Sequence, residues 1–280
     1  MSYKKIISFI GLAFAATLLV ACGSKTEEKN TISVGLMTMT KSDKARWDKI
    51  EELLKKENVT LKFKEFTDYS QPNKAVANKE VDINAFQHKN FLNNWNKENK
   101  KDLVAIADTY ISPINLFSGT SKGKAKYKSV SELPKGAQIA IPNDATNESR
   151  ALYLLQSSGL IKLNVAGDKL ATIANITENK KNLDIKEIDA SQTARALSSA
   201  DAAIVNNSYA VPANIDYKTS IAKEKIDENS DQWINVLVGQ KGWKNSSKAD
   251  AIKKLVKVYH TDAVKKVINK SSDGVDITAW

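Results

Sequence analysis

Apolar residues recur along this chain in short β-like runs, and the stretches between them carry helical spacing. The runs are "TISVGL" (31–36), "LKFKEF" (61–66), "INAF" (83–86), "LVAIAD" (103–108), "QIAIP" (138–142), "LDIKEI" (183–188), "ADAAIV" (200–205) and "INVLVG" (234–239). Helical patterns cover 43–57, 89–99, 147–158 and 191–198. Near the C-terminus Ile252, Leu255, Val256 and Tyr259, then Val264, Val267 and Ile268, again fall on helical faces. Strand–helix alternation of this kind predicts an α/β protein with largely parallel sheets. No fixed-period repeat is present.

Two polar stretches interrupt the pattern. "SGTSKGKAKYKSVSELPKG" precedes the run at 138, and "DYKTSIAKEKIDENSDQ" precedes the run at 234. Breaks in these places predict a chain that builds one lobe, leaves to build another, and returns. The expected division is 31–117 for the first part of lobe 1, 118–234 for lobe 2, and 235–280 for the return to lobe 1 with its C-terminal helices. A two-lobed solute-binding architecture follows, with ligand held in the cleft between lobes.

The N-terminus sets the compartment. "MSYKK" is a basic segment, and 6–21 form an apolar stretch too short for a comfortable membrane span. It ends in Leu19, Val20 and Ala21 before Cys22, which resembles a bacterial lipobox whose cysteine receives a diacylglycerol. Residues 1–21 are thus expected to be a cleaved lipoprotein signal peptide, and 22–30 a lipidated cysteine on a flexible tether. Eight random-coil residues reach roughly 15 Å.

Composition narrows the function. The chain has 280 residues and a formal charge of +10. The signal peptide holds Lys4 and Lys5 and no acid, so its removal lowers that charge by two. The lysines are scattered among acids with no basic block interleaved with aromatics, so the excess suits an anionic envelope better than a nucleic acid. One cysteine excludes an internal disulfide. The two histidines, His88 and His260, give no metal-ligand spacing, and no P-loop or Rossmann glycine pattern appears. No carboxylate pair or nucleophile–base pair is evident, which argues against an enzyme and against a bound cofactor or metal.

Ligands of open α/β sheets bind beyond the carboxyl ends of the strands. Those junctions hold Thr67, Asp68 and Tyr69; Phe86, His88 and Phe91; Asn143, Asn147 and Arg150; Asn206, Asn207 and Tyr209; and Asn235. Each has an ordinary structural use, as core, cap or surface residue. Their convergence favours a site: a guanidinium for a carboxylate, amide oxygens for an ammonium, and rings for an apolar side chain. That set matches a zwitterionic amino acid. Arg150, one of three arginines, follows the N-cap candidates Asp144 and Thr146 into the first turns of a helix. A helix N-terminus offers spare N–H groups to an anion, and the planar fork of Arg150 could meet both carboxylate oxygens.

The motifs "DINAFQHKNFL", "AIPNDATNESRALYLLQSSGLIKL", "IDASQTARALSSADAAIVNNSYA" and "NVLV" closely resemble the MetQ/NlpA lipoprotein family, the methionine-binding components of ABC importers. The resemblance runs from the lipobox to the C-terminal helices. It implies a type II periplasmic binding fold and a monomer that delivers methionine to a permease with a cytoplasmic ATPase. By motif position it implies that Arg150 takes the carboxylate and that Asn206 and Asn235 fix the head group. Tyr69, Phe86, His88 and Phe91 would line the side-chain pocket. Position 91 is often tyrosine in such relatives, so Phe91 lacks a hydroxyl found there. A methionine-containing dipeptide or another amino acid is the alternative ligand, and a surface adhesin with a vestigial cleft is the alternative class.

Overall fold

The computed structural model describes residues 28–280. The signal segment, Cys22 and most of the expected tether lie outside those residues. Within the tether's last three positions, Glu28 and Lys29 are helical and Asn30 is in a turn.

Two five-stranded sheets organise the molecule. The first contains β1 (Thr31–Met37), β2 (Thr60–Phe66), β3 (Ile83–His88) and β4 (Val104–Asp108). The second contains β5 (Asn115–Ser118), β6 (Gln138–Pro142), β7 (Asp184–Ile188), β8 (Ala202–Val205) and β9 (Ser220–Lys223). The final long strand, β10 (Asn235–Gly239), returns to the first sheet. The strand orders are β2-β1-β3-β10-β4 and β7-β6-β8-β5-β9.

Each sheet is therefore a parallel trio extended by two strands, an antiparallel one that the chain supplies as it crosses between sheets and an outer one beyond it. β1 pairs in parallel with β2 and β3, whereas β10 is antiparallel to β3 and β4. Likewise β6 pairs in parallel with β7 and β8, whereas β5 is antiparallel to β8 and β9. All eight predicted runs are strands. Two further strands of these sheets, β5 and β9, were not predicted. The division expected after residue 117 cuts through β5, because the chain has already crossed to the second sheet by Asn115. The expected polar stretch at 216–232 contains β9, an edge strand that pairs with β5.

Burial explains the assignments. Central strands covered on both faces read as nearly continuous apolar runs, and β8 is buried at every position. The edge strand β2 exposes Thr60, Lys62, Lys64 and Glu65, charges that discourage edge-to-edge pairing. Helix α1 (Lys41–Lys55) starts from a Thr40–Asp43 capping box. It packs Trp47, Ile50 and Leu54 with β1 and with the apolar faces of α7 (Ala249–Tyr259) and α8 (Asp262–Ser271). The other face of this sheet is covered by α2 (Pro72–Ala77) and α3 (Lys89–Asn99), through Val76, Leu92 and Trp95. In the second lobe α4 (Ala145–Ser157) buries Leu152 and Leu155 against Ile139, Ile141 and Ile204. The opposite face packs Phe117, Ala203 and Val205 with Leu197, just after the single turn α5 (Thr193–Ala196). The expected helix at 191–198 is thus split into a 3-10 turn and this short α segment. A further one-turn helix, α6 (Asn207–Ala210), follows β8. At the exit from β5 a side chain on Gly119 would meet the carbonyl oxygen of Ala200 at 2.1 Å, so only glycine fits.

Two segments cross between lobes. The outgoing one runs from Thr109 to Ile114, and its residues Tyr110–Ile111 pair with Ile277–Thr278 of the C-terminal segment. The returning one leaves β9 at Glu224 and reaches β10 at Asn235. They meet where the Glu224 N–H donates to the Ile114 carbonyl at 3.0 Å. Among the described residues no helix is long and apolar enough to cross a membrane.

Candidate functional site

The strands of both sheets end at the cleft, and the junction residues therefore converge. Phe86 and His88 close β3, and Phe91 lies in the first turn of α3. Tyr69 follows β2, Asn147 and Arg150 follow β6 on α4, and Asn206 follows β8. Asn235 opens β10, whose antiparallel run sets it directly beside His88. The cleft holds a cavity of about 350 Å³. All seven expected contact residues line it: Tyr69, Phe86, His88, Phe91, Arg150, Asn206 and Asn235.

One wall is aromatic. Tyr69, Phe86 and Phe91 form a triangle with ring centroids 5.7 to 5.9 Å apart. Tyr209 reaches across the cleft to Tyr69 at 4.9 Å. These are tilted and edge-to-face arrangements that aromatic pairs favour.

The other wall is polar, and its hydrogen bonds determine which atoms are left for a ligand. The amide nitrogen of Asn206 donates to Asn147 Oδ1 at 2.9 Å, and Asn206 Oδ1 is buried without a hydrogen-bond partner among the described residues. The amide nitrogen of Asn235 donates to the Tyr110 carbonyl at 3.1 Å. Both amides are anchored by their donor ends, so each leaves a carbonyl oxygen for the cavity. Asn147 is a positioning residue. Its oxygen accepts from Asn206, and its amide nitrogen donates to both carboxylate oxygens of Asp144 at 3.0 Å.

His88 has its two ring nitrogens committed. Nδ1 accepts the Phe91 N–H at 3.0 Å, making His88 the N-cap of α3, and Nε2 lies 3.4 Å from Asn147 Oδ1. A ring whose Nδ1 accepts must carry its proton on Nε2. Burial, reinforced by the nearby Arg150 charge, lowers its pKa to about 3, so the ring is neutral at physiological pH. It offers the cavity a ring face and no cation.

Arg150 is 3% exposed, and its geometry departs from the expected free fork. Its Nε and Nη2 donate to the two carboxylate oxygens of Glu224 at 2.7 and 2.6 Å. Nη2 also donates to the Ser112 carbonyl at 3.1 Å. The Trp233 ring lies 5.2 Å from the guanidinium carbon and packs edge-on against His88. A ligand therefore meets Arg150 at Nη1, which makes no hydrogen bond among the described residues. The start of α4 is occupied too. Asp144 caps it, accepting the Asn147 N–H at 3.0 Å, so the helix N-terminus is not the open anion site expected from the sequence.

Glu224, Trp233 and Ser112 were not anticipated. Nor was Arg46, a second buried arginine that lines the same cavity. It pairs with Asp43 and lies over the Tyr110 ring at 4.5 Å. The scarcity of arginine was the one available signal, since two of the three line this cavity. Arg195, the third, is exposed beside a shallower depression that also includes Tyr209. Among the described residues no group of three or more His, Cys, Asp or Glu side chains is arranged to hold a metal ion.

Comparison with known proteins places the chain in a family. The model of the NlpA lipoprotein family matches residues 32–280. The D-methionine-binding lipoprotein MetQ of Escherichia coli K12 is 34% identical over 286 aligned residues, covering 100% of both chains. The substrate-binding protein of a methionine transporter from Streptococcus pneumoniae superimposes with a TM-score of 0.86 at 63% identity, over 90% of this chain and 96% of that one. A nutrient-binding protein from Burkholderia cenocepacia, solved bound to methionine, gives a TM-score of 0.79 at 37% identity, over 89% of this chain and 100% of that one. Two lobes built on matching strand orders, a cleft lined by both, and a family match across nearly all the described residues lead to one conclusion: this chain belongs to the NlpA lipoprotein family.

Proposed function

We propose that this chain is an extracytoplasmic, lipid-anchored solute-binding protein that captures methionine between its lobes and hands it to an ABC permease driven by a cytoplasmic ATPase. The observation that carries the reading is the division of the cavity into complementary halves. Asn206 and Asn235 leave amide oxygens for an ammonium, Arg150 leaves Nη1 for a carboxylate, and the Tyr69, Phe86 and Phe91 rings receive an apolar side chain. A thioether is polarisable and flexible and suits an aromatic wall. The methionine named for the relatives in E. coli, S. pneumoniae and B. cenocepacia fits this chemistry. A single chain supplies the whole cleft, so a monomer suffices. The role is binding without turnover. Cys22, behind its lipobox, carries the anchor.

Calorimetry on the soluble form beginning at Gly23 tests the ligand. Heat with L- or D-methionine, and recovery of the ligand unaltered by mass spectrometry, is the expected result. No heat with either enantiomer or with methionyl dipeptides would sink the assignment. Membrane fractionation of Cys22→Ser tests the anchor: lipid labelling equal to wild type would refute it.

A further inference from the structure

We propose that Glu224, which does not line the cavity, sets the charge that Arg150 presents to a ligand, and so selects solutes of zero net charge over anions of the same shape. The inference rests on the methionine reading above and names a specificity-determining position behind that site.

An arginine has five N–H donors. Glu224 takes the Nε donor and one from Nη2, and the Ser112 carbonyl takes the other from Nη2. Only the two on Nη1 remain. The pair is well buried, with the Arg150 and Glu224 side chains 4% and 11% exposed. Glu224 is itself held in place, because its Oε2 accepts the Ile114 N–H at 3.1 Å. Its backbone N–H donates to the Ile114 carbonyl, so the carboxylate is fixed where the two crossing segments meet. The pair therefore belongs to the frame of the cleft and does not wait for a ligand to form.

The consequence is electrostatic. Arg150 and Glu224 cancel to zero, and His88 adds no charge because its Nδ1 is engaged as an acceptor. Of the other carboxylates, Asp144 is turned to the N-terminus of α4 and the Asn147 amide, and Asp276 hydrogen-bonds Ser112 near Arg46. Around Arg150 the cavity thus offers donors at one point and acceptors at two others, and the other charged residues of its lining, Arg46 with Asp43 and Asp276 among them, stay the same whatever stands at position 224. A zwitterion has matching halves and no net charge to desolvate. An anion of the same skeleton loses its hydration and finds an arginine already compensated. Without the Glu224 charge, Arg150 would present a full positive charge in a poorly screened site and would favour that anion.

The test is titration of wild type, Glu224→Gln and Glu224→Asp with methionine and with its deaminated analogue, the methylsulfanyl butyrate. Wild type should prefer methionine strongly. Glu224→Gln should narrow that preference by about tenfold or more, chiefly by tightening the deaminated ligand. Glu224→Asp keeps the charge and should keep the wild-type preference. A merely structural glutamate would weaken both ligands alike, so an unchanged preference in Glu224→Gln overturns the proposal. The double variant Arg150→Gln, Glu224→Gln restores zero net charge and should return the preference to within about threefold of wild type. Should Glu224→Gln fail to fold, a tenfold swing toward the deaminated ligand in the double variant would overturn the inference. Equal affinity of wild type for both ligands would do so in any case. Absence of any methionine binding by wild type is a different outcome, which removes the methionine reading and this inference with it.

Discussion

The two lobes have the same strand order and bring different chemistry to the cleft. Lobe 1 contributes the rings of Tyr69, Phe86, His88 and Phe91 from the ends of its parallel trio. Lobe 2 contributes Asn147, Arg150 and Asn206 from the equivalent ends of its own trio. Asn235, on the strand that returns to lobe 1, and Arg46 of α1 are polar residues that lobe 1 also brings. Equivalent topology thus fixes where side chains converge and leaves their chemistry free. An amino acid held this way would have its side chain read by lobe 1 and most of its head group by lobe 2, so it would reward closure as a whole.

The largest break in this arrangement should come from Arg150→Ala. It removes the proposed head-group cation and strands the buried Glu224 carboxylate. Truncating one member of a buried charge pair costs about 2–5 kcal/mol in binding, so affinity should fall roughly thirty- to several-thousand-fold. Unlike loss of a pure ligand contact, it should also destabilise the apo protein, by about 3–5 kcal/mol. Calorimetry and denaturant melts check the two parts. Near-wild-type stability would mean that the Glu224 pair is not formed in solution. Arg150→Lys should recover only part of the affinity, because an ammonium cannot satisfy Glu224 side-on and still face the cavity.

Asn206→Ala sharpens the comparison on the lobe 2 side. Loss of a hydrogen bond to a charged group costs about 1.5–3 kcal/mol, or roughly ten- to a hundredfold in affinity. Phe86→Ala is its lobe 1 counterpart. It should weaken methionine by roughly tenfold through lost ring contacts, and alanine, which does not reach the rings, hardly at all. Similar losses for both ligands in Phe86→Ala would break the division of labour.

The lobes should also answer pH in opposite directions. His88 is neutral in the fold with a pKa of about 3, whereas the unfolded ring takes a proton near 6.5. Its contribution is complete above that value and is lost as pH falls toward about 3. Glu148 in lobe 2 is buried, and burial with the neighbouring Glu187 charge pushes its pKa up to about 7. Its contribution is complete below its unfolded value of 4.5 and is lost as pH rises through about 7. Thermal melts should show Glu148→Gln gaining on wild type across that window, and a constant gap would refute the shift. Methionine affinity should stay flat between about pH 6 and 8, since neither ligand-facing amide titrates and His88 stays neutral.

The smallest effect belongs to Arg195→Ala. This side chain is exposed, so stability should shift by no more than about 0.5 kcal/mol and affinity should not move.

How far the sequence revealed these features depended on distance along the chain. β6 and β8 were legible because strands buried on both faces carry nearly unbroken apolar runs. The junction residues were legible because parallel strands deliver their carboxyl ends to one side. β9 was not, since "SIAK" is a short edge strand held by one neighbour and surrounded by lysines and acids. Glu224 was hidden for the same reason: its partner Arg150 is 74 residues away, and only the folded return of the chain brings them together. The free fork expected of Arg150 was wrong because sequence assigns a residue its donors without showing which are already engaged.

A crossed titration tests the central claim most directly. Wild type, Asn206→Ala, Phe86→Ala and the double variant are each titrated with methionine, the deaminated analogue and alanine. The account predicts that removing the ammonium abolishes most of the penalty of Asn206→Ala and leaves that of Phe86→Ala intact, while removing the thioether chain does the reverse. Such selective coupling is what interaction between neighbours produces. Penalties that stay the same whichever half of the ligand is removed would contradict it.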